Sequence, residues 1–164
     1  MNLRAAILTA SDRSARGERP DLSGPALEAL VTRLGWTVVR KTVVPDDQDL
    51  ISRTLIHWVE QGDLDIILVT GGTGFAPRDV TPEATRAVIQ REAPGLAEAM
   101  RAESIKITPH AMLSRAVVGI RDKVIIIDLP GSPKAAVENL GIILPVLPHA
   151  VELLQDDPEA EKHH

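Results

Sequence analysis

The sequence predicts an α/β protein: a mostly parallel β-sheet with helices on both faces, plus a short hairpin near the C-terminal end of the sheet. Three observations carry that prediction. Short aliphatic or β-branched runs alternate with segments of helical periodicity along the whole chain. One run, Ile66-Ile67-Leu68-Val69, is apolar without interruption, as a strand covered on both faces must be. Two later runs, Ala116–Ile120 and Val124–Leu129, are separated only by Arg121-Asp122-Lys123, the spacing of a hairpin.

Taken in order, Ala5 to Thr9 is a short strand that stops at the polar turn Ser11-Asp12-Arg13. Residues 14–21 read as loop, with Gly17 and Pro20 as breakers. Gly24-Pro25 opens a helix, since proline lacks only an N–H that the first turn leaves unpaired anyway. Leu27, Leu30, Val31 and Leu34 form its buried stripe, and Gly35 ends it. Thr37–Val44 is a strand closed by Pro45-Asp46-Asp47, and Ile51, Leu55, Trp58 and Val59 mark the next helix, stopped at Gly62. Leu64–Thr70 is the buried strand, and glycine follows at once. Thr81-Pro82-Glu83 starts a helix with Thr81 as its cap, and Pro94-Gly95 separates it from another over Leu96–Ser104. After the hairpin, Pro130-Gly131-Ser132-Pro133 begins a helix to about Leu144, with a further one over Val146–Leu154. Residues 1–155 read as one domain, and 156–164, charged and proline-containing, as a disordered tail.

Composition narrows the function classes. The chain has 164 residues, 44% of them hydrophobic and 25% charged, the balance of a water-soluble globule. Trp36, Trp58 and Phe75 are its only aromatics, so the core is aliphatic and base stacking has almost no platform. A net charge of −5 argues against nucleic acid as a partner. Without cysteine there is no disulfide, thiolate nucleophile or Cys-based zinc or iron–sulfur site. No secretory h-region opens the chain, and no apolar run is read as reaching bilayer length, so the expectation is a cytoplasmic protein with no membrane partner.

In open α/β sheets ligands bind beyond the carboxyl ends of the strands, so the segments that follow strands are the candidates. They are Ser11-Asp12-Arg13, Pro45-Asp46-Asp47, Gly71-Gly72-Thr73-Gly74 with its continuation to Asp79, and Pro130-Gly131-Ser132. Bare glycine amides can hold a phosphate, although three glycines also make a tight turn. A Walker loop is excluded because no Lys-Ser/Thr follows, and a dinucleotide fingerprint because Pro77 stands where glycine is needed. Asp46 and Asp79 read either as turn and cap residues or as a pair of hard oxygen ligands for Mg2+. No histidine has metal-ligand spacing, and no Gly-x-Ser-x-Gly elbow supports a serine nucleophile.

Taken together, Thr70-Gly-Gly-Thr-Gly74 with Arg78-Asp79-Val80-Thr81-Pro82-Glu83-Ala84-Thr85, Leu129-Pro-Gly-Ser-Pro-Lys134 and Ser11-Asp12-Arg13 resemble the Mog/MoaB family of molybdenum-cofactor biosynthesis. The same domain occurs in gephyrin-type proteins. The resemblance implies transfer of AMP from ATP to molybdopterin with Mg2+, usually in a homotrimer, and a molybdenum-inserting enzyme as downstream partner. It also implies Asp46 and Asp79 as catalytic, metal-holding aspartates. Gly71, Gly72, Thr73 and Gly74 match the phosphate cradle, Pro130, Gly131 and Ser132 its second wall, and Ser11, Asp12 and Arg13 line the same cleft. The alternative is a non-catalytic molybdopterin carrier or assembly protein on the same fold.

Overall fold

β1 (Arg4–Ala10), β2 (Thr37–Val44), β3 (Ile66–Thr70), β4 (Arg91–Glu92), β5 (Val118–Arg121) and β6 (Val124–Leu129) form one sheet in the order β2-β1-β3-β6-β5-β4. This is a computed structural model, and it describes residues 2–156. β1 pairs in parallel with β2 and β3, and β3 with β6; the β5–β6 hairpin and β4 add antiparallel pairs at one edge. The sheet is therefore mostly parallel with a short hairpin near its C-terminal end, as the sequence predicts. The chain leaves β1 for β2 on one side and returns to β3 on the other, so the ends of β1 and β3 flank a topological switch point.

Side chains along a strand alternate between faces, and the core divides accordingly. Ile7, Leu68 and Ile127 join one apolar cluster, and Leu8, Ile67, Val69 and Ile126 the other. On the first face lie α2 (Ser23–Arg33), α5 (Pro94–Ile105), α6 (Pro133–Ile143) and α7 (Leu147–Leu154), through Leu27, Met100, Leu140 and Val151. On the second lie α3 (Gln48–Glu60) and α4 (Thr81–Val88), through Ile51, Leu55, Trp58 and Val88. A central strand buried on both faces has no polar side to show. That is why Ile66-Ile67-Leu68-Val69 reads as a continuous apolar run.

Several local expectations are corrected. Residues 14–21 are not all loop: Ser11 caps a single helical turn, α1 (Asp12–Ala15), by accepting from Ser14 N at 3.2 Å. Thr81 does not cap α4. Val80 holds the cap position, because Thr81 N already donates to Gly72 O at 3.1 Å and Thr81 lies within the first turn. α5 begins on Pro94 itself, after the two-residue strand β4, which is too short to leave a periodic signal. A 3-10 helix, Pro109–Leu113, also goes unannounced by any pattern. Pro133–Leu154 is, by length and composition, apolar enough to cross a bilayer, contrary to the sequence reading; here Leu140, Leu147 and Val151 of that stretch are buried in the first apolar cluster. The disorder expected for the tail falls on residues 157–164, outside the described ones, while Asp156 N closes the turn after α7 on Leu153 O.

One carboxyl lies inside the second face. Asp128, on β6, is fully buried; it accepts Thr85 Oγ1 at 2.6 Å and Val117 N at 3.0 Å. Burial raises its pKa to about 7, against an ordinary carboxyl value near 4 in the unfolded chain. Between those two values the folded state binds the proton that the unfolded state has lost, so this group's contribution falls as pH rises. Asp128→Asn is therefore expected to flatten the stability profile between about pH 5 and pH 8. Urea denaturation of both proteins at the two pH values checks it; an unchanged pH slope would mean that Asp128 does not titrate there.

Candidate functional site

The ends of β1, β2, β3 and β6 open on one cavity of about 370 Å3. Ser11, Asp46, Gly71 and Gly72 line it, together with Asp79, Gly131 and Ser132. The segments converge because their backbones nearly touch. A Cβ on Gly71 would lie 2.3 Å from Ala10 O, and one on Gly131 would lie 3.3 Å from Gly71 Cα. Only glycine permits three strand ends to meet this closely.

Not every predicted residue faces this cavity. Asp12 stands beside it, its carboxylate turned to Asp46 and Arg78. Arg13 is exposed and is not among the lining residues. Thr73, Gly74 and Pro130 line a second, mainly apolar cavity of about 270 Å3. Conversely, Thr9, Arg19, Asp21 and Ser23 line the first cavity and were not anticipated. Asp21 accepts Gly24 N at 3.1 Å and Thr9 Oγ1 at 3.0 Å, so it fixes the start of α2 against the end of β1. An Asp three residues before Gly-Pro is the only signal in the sequence that could have pointed to it; Arg19 leaves none.

The backbone donors are fewer than a four-residue phosphate cradle would need. Gly71 N is spent on Leu129 O at 3.1 Å, and Gly74 N on Asp79 Oδ2 at 3.1 Å. Among the described residues, the N–H groups of Gly72, Thr73, Gly131 and Ser132 have no internal acceptor. Ser132 Oγ caps α6 by accepting Ala135 N at 3.4 Å, so the two walls bring free amides and a helix N-terminus to one place. That is the chemistry of an anion site.

The carboxylates are arranged around those donors. Asp12 and Asp46 exchange hydrogen bonds: Asp12 N donates to Asp46 Oδ2 at 2.9 Å, and Asp46 N donates to Asp12 Oδ1 at 3.0 Å. Arg78 donates to both Asp12 oxygens at 3.0 Å, and that fork holds the Asp12 carboxyl below its ordinary pKa. Asp46 moves the other way. Burial raises its pKa, and the charges of Asp12 and Asp79 add to the effect. Its Oδ1 is buried without a hydrogen-bond partner, as is Thr81 Oγ1, and both lie over Gly72, at 3.0 and 2.7 Å from where a Cβ would stand. Asp79 Oδ2 accepts Gly74 N and Ala76 N, both at 3.1 Å, so this aspartate does organise a turn.

Comparison with known proteins agrees with this architecture. Residues 6–149 match the family described as "Probable molybdopterin binding domain". A molybdopterin adenylyltransferase of Helicobacter pylori is 43% identical over 150 residues, covering 90% of this chain and 85% of that one. Gephyrin of Dictyostelium discoideum is 44% identical over 94% of this chain, which spans only 23% of gephyrin's length. The crystal structure of the molybdopterin biosynthesis enzyme MoaB from Thermus thermophilus superposes with a TM-score of 0.89 at 47% identity, covering 95% of this chain and 98% of that one. The fold, the family match over most of the chain and these relatives agree, and the chain belongs to the molybdopterin-binding-domain family of molybdenum-cofactor biosynthesis.

Proposed function

We propose that this protein is a molybdopterin adenylyltransferase. An oxygen of the molybdopterin phosphate attacks the α-phosphorus of ATP, a new P–O bond forms there, and the bond to the β-phosphate bridging oxygen breaks to release pyrophosphate. The observation that carries the reading is Asp46 Oδ1, a buried carboxylate oxygen without a partner beside a loop that presents free amides. The relatives named molybdopterin adenylyltransferase support it.

Two anions must be brought together, so positioning and charge compensation dominate the catalytic task. The amides of Gly72 and Ser132 receive phosphate oxygens, and Gly131 keeps the second wall open to them. Among the described residues no group of three or more acidic or histidine side chains could hold a metal unaided. Mg2+ nevertheless fits, because it commonly takes one or two carboxylates and fills its shell with phosphate oxygens and water. Asp46 and Asp79 would hold it, and when bound it neutralises charge on the triphosphate. No covalent enzyme intermediate is required, in keeping with the absence of cysteine. Pyrophosphate release from ATP and purified molybdopterin with Mg2+ is the expected result. Tight molybdopterin binding without release would favour the carrier reading.

The assembly expected is a homotrimer, supported by the exposed side chains of Phe75, Ile107 and Met112. Light scattering at micromolar concentration should give three times the 17.7 kDa chain mass. A monomer at every concentration would overturn this. The product is expected to pass to a molybdenum-inserting enzyme in the cytoplasm, and cell fractionation with affinity capture of that enzyme tests both points.

A further inference from the structure

Between Gly74 and Asp79 the chain has no regular structure, yet it carries an aspartate whose carboxylate must be placed to within a fraction of an ångström. Its internal bonds are those from Gly74 N and Ala76 N to Asp79 Oδ2 and from Asp79 N to Ala76 O. These fold the segment on itself but do not anchor it to the sheet. The Arg78–Asp12 pair does reach across, but Arg78 is exposed, and an exposed ion pair contributes little.

The anchoring comes from Arg115, just ahead of β5. Its backbone N donates to Thr73 O at 2.8 Å, its Nε to Gly74 O at 2.7 Å and one Nη to Asp79 O at 2.8 Å, while its other Nη pairs with Glu83 on α4. One half-buried guanidinium thus holds both ends of the Gly74–Asp79 segment, and α4 fixes the guanidinium in turn. Gly71 and Gly72 are held independently, on Leu129 O and by Thr81 N.

We infer that Arg115 is a positioning residue that fixes the Asp79 carboxylate relative to the bound nucleotide without touching it. The inference rests on the adenylyl-transfer reading for its kinetic consequence, and on the hydrogen bonds alone for its structural one. Because the phosphate-facing glycines have their own supports, loosening this clamp acts on turnover more than on nucleotide capture. Lysine cannot replace the fork, since an ammonium on a flexible stem cannot span two carbonyls in fixed geometry.

The test uses Arg115→Lys and Arg115→Ala in the full chain, beside Glu83→Gln. In Arg115→Lys, kcat for AMP transfer should fall about tenfold or more while KM for ATP stays within about threefold. Glu83→Gln should shift both in the same direction but less. Methylguanidinium should restore part of the turnover of Arg115→Ala and none of that of Arg115→Lys. Amide hydrogen exchange is read in parallel. Gly74, Ala76 and Asp79, whose amides are hydrogen-bonded, should exchange faster in the Arg115 variants, while β3 and β6 stay protected. Unchanged kcat in a folded Arg115→Lys protein, or faster exchange spread evenly over the sheet, overturns the assignment. If the wild-type protein transfers no AMP, the functional reading fails on its own. The exchange pattern then still decides whether Arg115 holds the loop.

Discussion

Gly71→Ala is expected to destabilise the protein by roughly 3–5 kcal/mol, and Gly72→Ala to leave it folded while abolishing nucleotide binding. The two neighbours share a left-handed backbone, with φ of +97° and +67°, but differ in what a side chain would meet. At position 71 the new Cβ would lie 2.3 Å from Ala10 O, a main-chain atom. β1 and β3 are paired up to Thr9 and Thr70, immediately before the clash, so neither strand can yield without losing the ladder. At position 72 the Cβ would meet Thr81 Oγ1 at 2.7 Å and Asp46 Oδ1 at 3.0 Å, both side-chain atoms with no hydrogen bond to lose. The cost there is chiefly the left-handed conformation, about 1–2 kcal/mol. The displaced Asp46 carboxylate and the occupied space are what remove binding. Urea denaturation measures the first effect and calorimetric titration with a non-hydrolysable ATP analogue the second. A folded Gly72→Ala protein with wild-type affinity would reduce the loop to a structural turn.

How much of this was legible in the sequence depends on the range of the interaction. Periodicity is local, so the continuous run of β3, the stripe of α3 and the hairpin were all readable from neighbouring residues. The strand-end rule then placed Asp46, Gly72 and Ser132 correctly around one cavity, although they lie far apart in the chain. Arg115 escaped because its guanidinium meets carbonyls 36 and 41 residues away, and nothing around it in sequence marks it. Thr81 misled for a related reason: Thr-Pro-Glu is a good local cap signal, but a tertiary bond from Thr81 N to Gly72 O shifts the helix start by one residue. Asp79 showed that the two readings weighed against each other were not exclusive. One of its oxygens holds the turn, and the other makes no hydrogen bond within the described residues.

That division leads to the sharpest expected result, in which activity and stability move in opposite directions. Asp46→Asn should lower single-turnover AMP transfer by about 10²-fold or more, since on the proposed reading it removes charge where the triphosphate and its metal would be held. The same change should stabilise the fold. Burial raises the pKa of Asp46, so its ionised form is disfavoured in the native state, and that cost grows as pH rises through the raised value. Asparagine carries no charge. One of its heteroatoms can keep accepting Asp12 N, as Asp46 Oδ2 does now. Its amide nitrogen then takes the place of Oδ1, which makes no hydrogen bond to be lost. Removing that disfavoured charge should therefore raise the melting temperature. The gain should be larger at neutral pH than near pH 4, where an ordinary aspartate is only about half ionised. Asp79→Asn should lose activity comparably with little change in stability, because one oxygen suffices to accept both Gly74 N and Ala76 N. Transfer and melting temperature measured on the same samples separate the possibilities. An Asp46→Asn protein that melts lower than wild type, or transfers AMP at the wild-type rate, would show that this carboxylate is a structural member of its turn. A protein more stable and inactive would identify the unpaired oxygen as strain kept for the substrate.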